Sequence, residues 1–398
     1  MKKKFKMIIA GGKTGGHLFP GISIAQAILR TNPDAEILFV GIGEPFEIRT
    51  LARYGFAHQR ISSTGIKGKG ILEKLKAIIQ VPISIMQAVN IIRCFKPDIV
   101  LGVGGFSSGA VVVGARLCRV KTAIHEQNSI AGITNRILQH FANFIFTSFK
   151  DTKGLNKSSK LLYTGNPIRK NEMDRTSNIS SYSVISNLKK QFTILVTGGS
   201  QGSRSINTAF IEALKLMKYR DKYRIIHQTG ASDEERVLLE YKKLSEEGIK
   251  KLKSDDILSD NMLDKAHNFD NISVAAFFNE LPEIQASADL IICRAGAGTI
   301  SEITALGKVA ILVPYPYAAD DHQTFNAKIL SDKGAAWLIP DSHLSGEILK
   351  EKIEFASSHP DELAQMAQRT KELGNPFADE MIASICIKMA DINTRAEM

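Results

Sequence analysis

The chain has 398 residues, more than one ordinary hydrophobic core accommodates, so two domains are expected. Apolar residues make up 44% and charged residues 23%, a globular balance that excludes a disordered or fibrous chain. The formal net charge of +10 is spread along the sequence and suits nucleic acid, an anionic membrane or a phosphorylated ligand without choosing among them.

The opening MKKKFKMIIAGG is basic and then apolar. Its apolar run, Met7 to Ala10, is too short for the core of a signal peptide and reads as a strand. Within MIIAGGKTGGHLFPG, residues 7–21, the letters GKT mimic the end of a P-loop. That motif needs a glycine five positions before Gly12, where Met7 stands inside the strand. The dinucleotide fingerprint fails too, because Lys13 stands two positions after Gly11. What remains is strand, glycine-rich turn and a helix with Ile22, Ala25, Ile28 and Leu29 at helical spacing. Such a unit aims backbone N–H groups at a phosphate or sugar, or is only a tight turn between packed elements.

EILFVG, DIVLGVGG, TAIHEQ and FIFTS follow as apolar, β-rich runs in the first half. Between them lies GIKGKGILEKLKAIIQVPISIMQAVNII, residues 65–92, with Ile71, Leu72, Leu75, Ile78 and Ile79 on one helical face among lysines. Pro82, Asn90 and glutamines interrupt it, so it is not a membrane span. It reads as a core helix pair or as an interfacial patch that dips into an anionic leaflet. Two strand ends are polar or glycine-rich: VGGFSSG at 103–109 and IHEQNSIAG at 124–132. Four polar residues in a row at a buried strand end each need a partner, which points to a ligand.

GNPIRKNEMDRTSNISS, residues 165–181, is polar and turn-rich, the natural place for a hinge. FTILVTGGSQGSRSINTAFIEAL, residues 192–214, then repeats the opening design. YRIIHQTG, NISVAAF, DLIICRAG and VAILVPYP supply matching strands, and 231–270 reads as a helix with a surface excursion. CRAGAGTISEITALG, residues 293–307, follows a strand and opens a helix. There Gly296 and Gly298 permit close approach of a ligand, and Thr299 and Ser301 add donors for a diphosphate. Glu302 either accepts two ribose hydroxyls or merely complements the helix dipole. PYPYAADDHQTFNA, residues 314–327, puts Asp320, Asp321, His322 and Gln323 at another helix start, where acids are often only caps. GNPFADEMIASICIKMADI, near the end, is an Asn-Pro break before an apolar-striped helix.

Long continuous apolar strands between helices mean parallel sheets covered on both faces. The expected fold is therefore α/β, two doubly wound Rossmann-like domains facing a cleft, with functional loops at the carboxyl ends of the strands. Cys94, Cys118, Cys293 and Cys386 lack CxxC spacing, which argues for reduced thiols in a cytosol and against a zinc site. The nine histidines form no HExxH-like pair, and no metal is expected.

Taken in order, GGKTGGHLFP, VGGFSSG, HEQNSIAG, GNPIR, GGSQGSR, CRAGAGTISE and PYPYAADDHQ resemble the MurG-type family of glycosyltransferases over nearly the whole chain. The resemblance implies the GT-B fold and transfer of N-acetylglucosamine from UDP-GlcNAc to undecaprenyl-diphospho-muramoylpentapeptide in bacterial cell-wall synthesis, without a metal or other cofactor. It implies an acceptor and membrane domain at 1–166, with the helix at 376–398 packing back on it, and a UDP-GlcNAc domain at 167–375. Carried over by motif, the substrate contacts are Thr14, Gly15, Gly16, Asn128, Arg169, Ser200, Phe278, Ala297, Gly298, Thr299, Ile300, Ser301, Glu302 and Gln323. His17 is the expected base for the attacking hydroxyl, since an unperturbed imidazole titrates near working pH, with Glu126 the runner-up. The helix N-termini after Ser200 and Gly298, with Arg169, would stabilise departing UDP. One departure from the family is Lys13, where glycine is usual; lysine is strained if that backbone needs positive φ. The expected location is peripheral, on the cytoplasmic face of the inner membrane. A UDP-GlcNAc 2-epimerase would share the donor site, but GGKTGGH together with HEQNSIAG argues against it. A nucleic-acid-binding protein is disfavoured because the basic residues show no aromatic interleaving or known module.

Overall fold

A computed structural model describes residues 4–12, 14–62, 71–169, 191–246, 266–269, 271–278 and 280–396. It divides into two compact units, residues 1–169 with 375–398, and residues 170–374. Arg169 therefore closes the first unit, three residues beyond the boundary that the sequence suggests. The proposed hinge lies mostly outside the described residues, as do Lys13 and most of the excursion in 231–270.

The first unit runs β1 (Lys6–Ala10), α1 (Gly15–Thr31), β2 (Glu36–Gly41), α2 (Pro45–Arg53), β3 (Ala57–Arg60), α3 (Ile71–Phe95), β4 (Ile99–Gly102), α4 (Phe106–Leu117), β5 (Lys121–Glu126), α5 (Ile133–Leu138), β6 (Phe144–Thr147) and β7 (Leu161–Tyr163). Its sheet has the order β3-β2-β1-β4-β5-β6-β7, all parallel. Alternation along β1 explains how both faces are covered. Met7 and Ile9 pack with Leu18, Ile22 and Ile28 of α1, while Ile8 and Ala10 pack with Ala88 and Ile92 of α3 and Val111 and Val112 of α4. A continuous apolar run is what a strand buried on both faces requires.

The second unit runs β8 (Phe192–Thr197), α6 (Arg204–Leu216), β9 (Tyr223–Gln228), α7 (Glu234–Glu246), β10 (His267–Phe269), β11 (Ile272–Ala275), α8 (Leu281–Ser287), β12 (Leu290–Cys293), α9 (Ala297–Leu306), β13 (Val309–Leu312), α10 (His322–Ser331), β14 (Trp337–Leu338), α11 (Gly346–Ser358) and α12 (Pro360–Glu372). Its strand order is β10-β11-β9-β8-β12-β13-β14. Edge strand β10 runs antiparallel to β11, the one departure from the all-parallel sheets expected. The chain then returns to the first unit as α13 (Ala378–Ala396). Ile382, Ala383, Cys386 and Met389 of α13 join the core beneath α1, and Arg30 of α1 pairs with the buried Asp379 at 2.8 Å. Among the described residues no helix is long and apolar enough to cross a membrane.

Candidate active site

In an open parallel sheet the crevice forms at the carboxyl ends of the strands, where the strand order reverses. In the first unit that point lies between β1 and β4. After β1, Gly11 and Gly12 adopt φ of +118° and +128°, which side chains rarely tolerate. A Cβ on Gly11 would overlap the Gly104 carbonyl, so the two strand ends touch backbone to backbone. Thr14 then takes an extended conformation before α1 begins at Gly15.

His17 sits in the first turn of α1. Its Nδ1 lies 3.2 Å from the Thr14 hydroxyl. Its other edge lies over Gly104, where a Cβ would come within 2.6 Å of Cδ2 and 2.9 Å of Nε2. Thr14, Gly15, Gly16 and His17 thus form one exposed or half-buried turn at the switch point. Arg169 lies with its guanidinium 4.7 Å from the centre of the ring of Phe19, two residues beyond His17 on α1.

Glu126 ends β5 and differs from an accessible base. It is 2% exposed. One oxygen accepts from the N–H of Asn128 at 3.0 Å and its side-chain amide at 3.5 Å. The other accepts from the Gly132 N–H at 3.0 Å and the Asn135 amide at 2.8 Å. Desolvation raises its pKa, opposed by these hydrogen bonds. The geometry is a clamp on the 126–135 loop, to which Asn128, expected at the donor, lends its backbone N–H and, at 3.5 Å, its side-chain amide while staying half-buried. His125 is fully buried beside it, with Nδ1 3.2 Å from the Gln127 amide nitrogen and Nε2 3.3 Å from the Ser148 hydroxyl. Burial pulls its pKa down to about 4, with the Gly165 carbonyl opposing and the nearby His17 adding to the fall.

In the second unit the order reverses between β8 and β12. The turn after β8 holds Ser200 exposed, and Gly202 at φ +75° presses on the Thr229 carbonyl so closely that a Cβ would overlap it. Helix α6 starts after Ser203, whose side chain accepts from the Ile206 N–H at 3.4 Å. Asn207, one turn in, donates to the Thr229 carbonyl at 3.0 Å and Asp233 at 2.8 Å, and meets His227 at 3.0 Å.

Across the switch, α9 begins after Gly296 without a side-chain cap, so its first N–H groups form the anion-directed end of the helix. Ala297 to Glu302 do not act as one surface. Ile300 is 1% exposed and faces the core, and the Ser301 hydroxyl donates back to the Ala297 carbonyl at 2.9 Å. The Ser301 hydroxyl thus uses its proton within the helix, while Ser301, like Gly298 and Thr299, stays partly exposed. Glu302 is 9% exposed and accepts from the Gln285 side-chain amide of α8 at 3.1 Å. The Phe278 ring is buried and its N–H donates to Gln228 at 3.0 Å, while the neighbouring Phe277 is exposed. Gln323, at the start of α10, accepts from the Tyr315 N–H through its side-chain oxygen at 2.9 Å.

Residues that the sequence reading passed over hold these loops. The Arg294 guanidinium reaches the carbonyls of Val313 and Pro314, Asp341 at 2.5 Å and Ser205 at 2.9 Å, and lies against the Tyr315 ring. It ties the ends of β12 and β13 to the start of α6. The letters CRAG signalled the loop, but nothing in them shows where a lone arginine points. A cavity of about 450 Å³ lined by Phe192, Tyr219, Tyr223 and Ser357 opens at the amino ends of β8 and β9, away from the glycine turns, and has no part in this chemistry.

Two Rossmann-like domains, each with a glycine turn feeding a helix N-terminus at its switch point, are the architecture of the GT-B fold. Residues 7–147 match the glycosyltransferase family 28 N-terminal domain and residues 193–381 the family 28 C-terminal domain. The chain belongs to glycosyltransferase family 28. A relative from Syntrophus aciditrophicus, named UDP-N-acetylglucosamine--N-acetylmuramyl-(pentapeptide) pyrophosphoryl-undecaprenol N-acetylglucosamine transferase, is 41% identical over 96% of this chain and 98% of its own. The crystal structure of Acinetobacter baumannii MurG superposes with a TM-score of 0.72 at 27% identity, covering 97% of this chain and 100% of that one. A UDP-GlcNAc 2-epimerase from Neisseria meningitidis shares the fold alone, with a TM-score of 0.61 at 14% identity over 96% of this chain and 99% of its own.

Proposed function

We propose that the chain transfers N-acetylglucosamine from UDP-GlcNAc to the 4-hydroxyl of the muramoyl sugar in undecaprenyl-diphospho-muramoylpentapeptide, with inversion at the anomeric carbon. The product is the disaccharide lipid of peptidoglycan synthesis. The observation that carries this reading is the match, over 96% of the chain, to relatives named for that transfer.

His17 is the base. In the tautomer protonated on Nδ1, that proton is shared with the Thr14 oxygen 3.2 Å away and Nε2 keeps its lone pair for the attacking hydroxyl. The freed oxygen attacks the anomeric carbon, the bond from that carbon to the diphosphate oxygen breaks, and its electron pair leaves with UDP. The first glycine turn serves the acceptor and its diphosphate. Glu302 receives the donor ribose hydroxyls, and the N-termini of α6 and α9 face the charge that develops on UDP. No metal or other cofactor is called for. Glu126 acts as the loop clamp rather than the base, because every acceptor direction of its carboxylate is already taken up by N–H donors.

The acceptor is lipid-linked, so the enzyme works as a peripheral protein at the cytoplasmic face of the inner membrane. Val81, Ile83 and Met86 on α3, Leu117 on α4, and Ile133 and Ile137 on α5 are exposed apolar side chains on helices that pack side by side. Exposed Arg93, Arg116 and Arg119 lie at the ends of α3 and α4. Exposed apolar side chains and cations on the same packed helices fit an anionic bilayer surface. The lysine-rich part of this segment, Lys67 and Lys69, lies outside the described residues, and the side chains of Lys74 and Lys76 are not described.

The deciding experiment incubates the protein with UDP-GlcNAc and the muramoyl lipid and looks for the disaccharide lipid. Conversion of UDP-GlcNAc to its 2-epimer without any transfer would replace this reading with the epimerase one.

A further inference from the structure

We propose that Gln285 is a positioning residue for the donor ribose: its side-chain amide fixes the Glu302 carboxylate in the orientation that receives the ribose hydroxyls. The inference rests on the reading of Glu302 as the ribose acceptor.

Gln285 lies on α8, outside every glycine turn, and is 1% exposed. Its Nε2 donates to Glu302 Oε2 at 3.1 Å. Its Oε1 is buried and has no hydrogen-bond partner among the described residues. Turning the amide over would set oxygen against oxygen, so the carboxylate determines which end of the amide faces it. The neighbours on α8, Leu281 and Ile284, are apolar core residues. A leucine at position 285 would fill similar space and leave no stranded acceptor. The glutamine carries that cost, and what it supplies in return is a donor to a nearly buried carboxylate. Once the amide holds Oε2, the plane of the carboxylate is set before the nucleotide arrives, which lowers the cost of ordering it on binding. A carboxylate free to turn would still be charged, but would present its lone pairs to the ribose less well.

The test compares binding of UDP and 2′-deoxy-UDP by titration calorimetry, for the parent protein, Gln285→Leu and the near-isosteric Gln285→Met. The parent should bind UDP more tightly than the deoxy compound. Either variant should weaken UDP binding by roughly five- to twentyfold, the effect of impairing one hydrogen bond to a charged group, and should lose most of that preference. Binding of 2′-deoxy-UDP, which keeps the 3′-hydroxyl, should weaken clearly less than that of UDP. In turnover, KM for UDP-GlcNAc should rise while kcat stays within about twofold, as expected when ground-state and transition-state binding are lost alike. A folded variant that weakens both nucleotides equally, or neither, overturns the role of Gln285 while leaving Glu302 as the ribose acceptor. A parent that binds both nucleotides equally overturns the ribose reading itself, and the positioning role with it.

Discussion

The imidazole of His17 rests over the bare backbone of Gly104, so close that a methyl group there would come within 2.6 Å of its Cδ2. Two strand ends meet at this point, and the imidazole proposed as the base is held on one side by the Thr14 hydroxyl and on the other by a glycine. His17→Ala should lower kcat by roughly 10² to 10⁴, the usual worth of a general base, with UDP affinity unchanged. Gly104→Ala should act through the same imidazole: a displacement of about 1 Å costs on the order of a hundredfold in kcat. Steady-state kinetics on both variants checks this, and near-normal turnover in His17→Ala would assign the proton to solvent or another group.

Glu302→Ala removes the carboxylate proposed to accept the ribose hydroxyls, each hydrogen bond to a charged group being worth about 1.5–3 kcal/mol. A ten- to hundredfold loss in kcat/KM for UDP-GlcNAc is expected, on the order of one such bond. Unchanged UDP affinity in a folded variant would withdraw the assignment.

Glu126 separates a clamp from a base. Glu126→Gln sets an amide N–H among N–H donors from Asn128, Gly132 and Asn135, leaving buried groups mismatched at a cost of about 1–3 kcal/mol. Denaturation should show that loss, and Asn135→Ala should echo it through the same loop. The residual activity should keep the parent's dependence on pH. If Glu126→Gln removes a limb of the kcat profile while stability is unchanged, Glu126 handles the proton.

Much of the fold was legible because it rests on continuous apolar runs. β1, β2, β4, β5, β6, β8, β9, β11, β12 and β13 are buried strands whose letters could hardly fold otherwise. The strands that escaped notice are edges or nearly so. β3 reads AHQR and is largely exposed, β7 and β10 are the three residues LLY and HNF, and β14 is two residues long. An edge strand buries little and carries no pattern. At the site, the glycine turns were legible because backbone approach demands glycine. The residues behind them were not. Gln285, Arg294, Asn135 and Asn207 act by pointing at a neighbour distant in sequence, and one amide or guanidinium within a helix or loop has no spacing to betray it. Phe278 shows the converse: motif position placed it near the ligand, while burial turned its ring inward.

Two buried histidines set the response to acid. Burial pulls the pKa of His125 down to about 4 and that of His227 down to about 3, from an ordinary value near 6.5. Below that ordinary value the unfolded chain binds a proton that the folded chain refuses, so stability falls with pH until the folded values are reached. From pH 7 to pH 5 each histidine should cost about 2 kcal/mol. Glu126, whose pKa is raised, opposes this trend. Denaturant titrations at the two pH values check the loss, with each transition followed separately because the two units need not unfold together. His125→Gln should flatten the pH dependence of the first unit's transition; an unaltered slope would mean that His125 already takes up its proton in the folded state.

The proposed membrane face can be tested without touching the site. Val81, Ile83, Met86, Leu117, Ile133 and Ile137 are exposed on α3, α4 and α5, and α4 comes close to α3 where Gly114 faces Ala88 and Ile92. Burying each such side chain in a bilayer interface is worth about 1.5–3 kcal/mol at full burial, and a nearby cation adds about 1 kcal/mol on an anionic surface. Changing Met86, Leu117 and Ile133 together to serine should cut the fraction that pellets with anionic vesicles by at least tenfold, with UDP affinity intact. Replacing Arg116 and Arg119 with glutamine should weaken pelleting at low salt and matter less as the Debye length falls below about 8 Å. The two sets distinguish the contributions, because the apolar loss should persist at high salt and the charge loss should not. If the parent pellets no better than either variant at any salt, these helices face another protein or only water, and the lipid acceptor reaches the enzyme by a different surface.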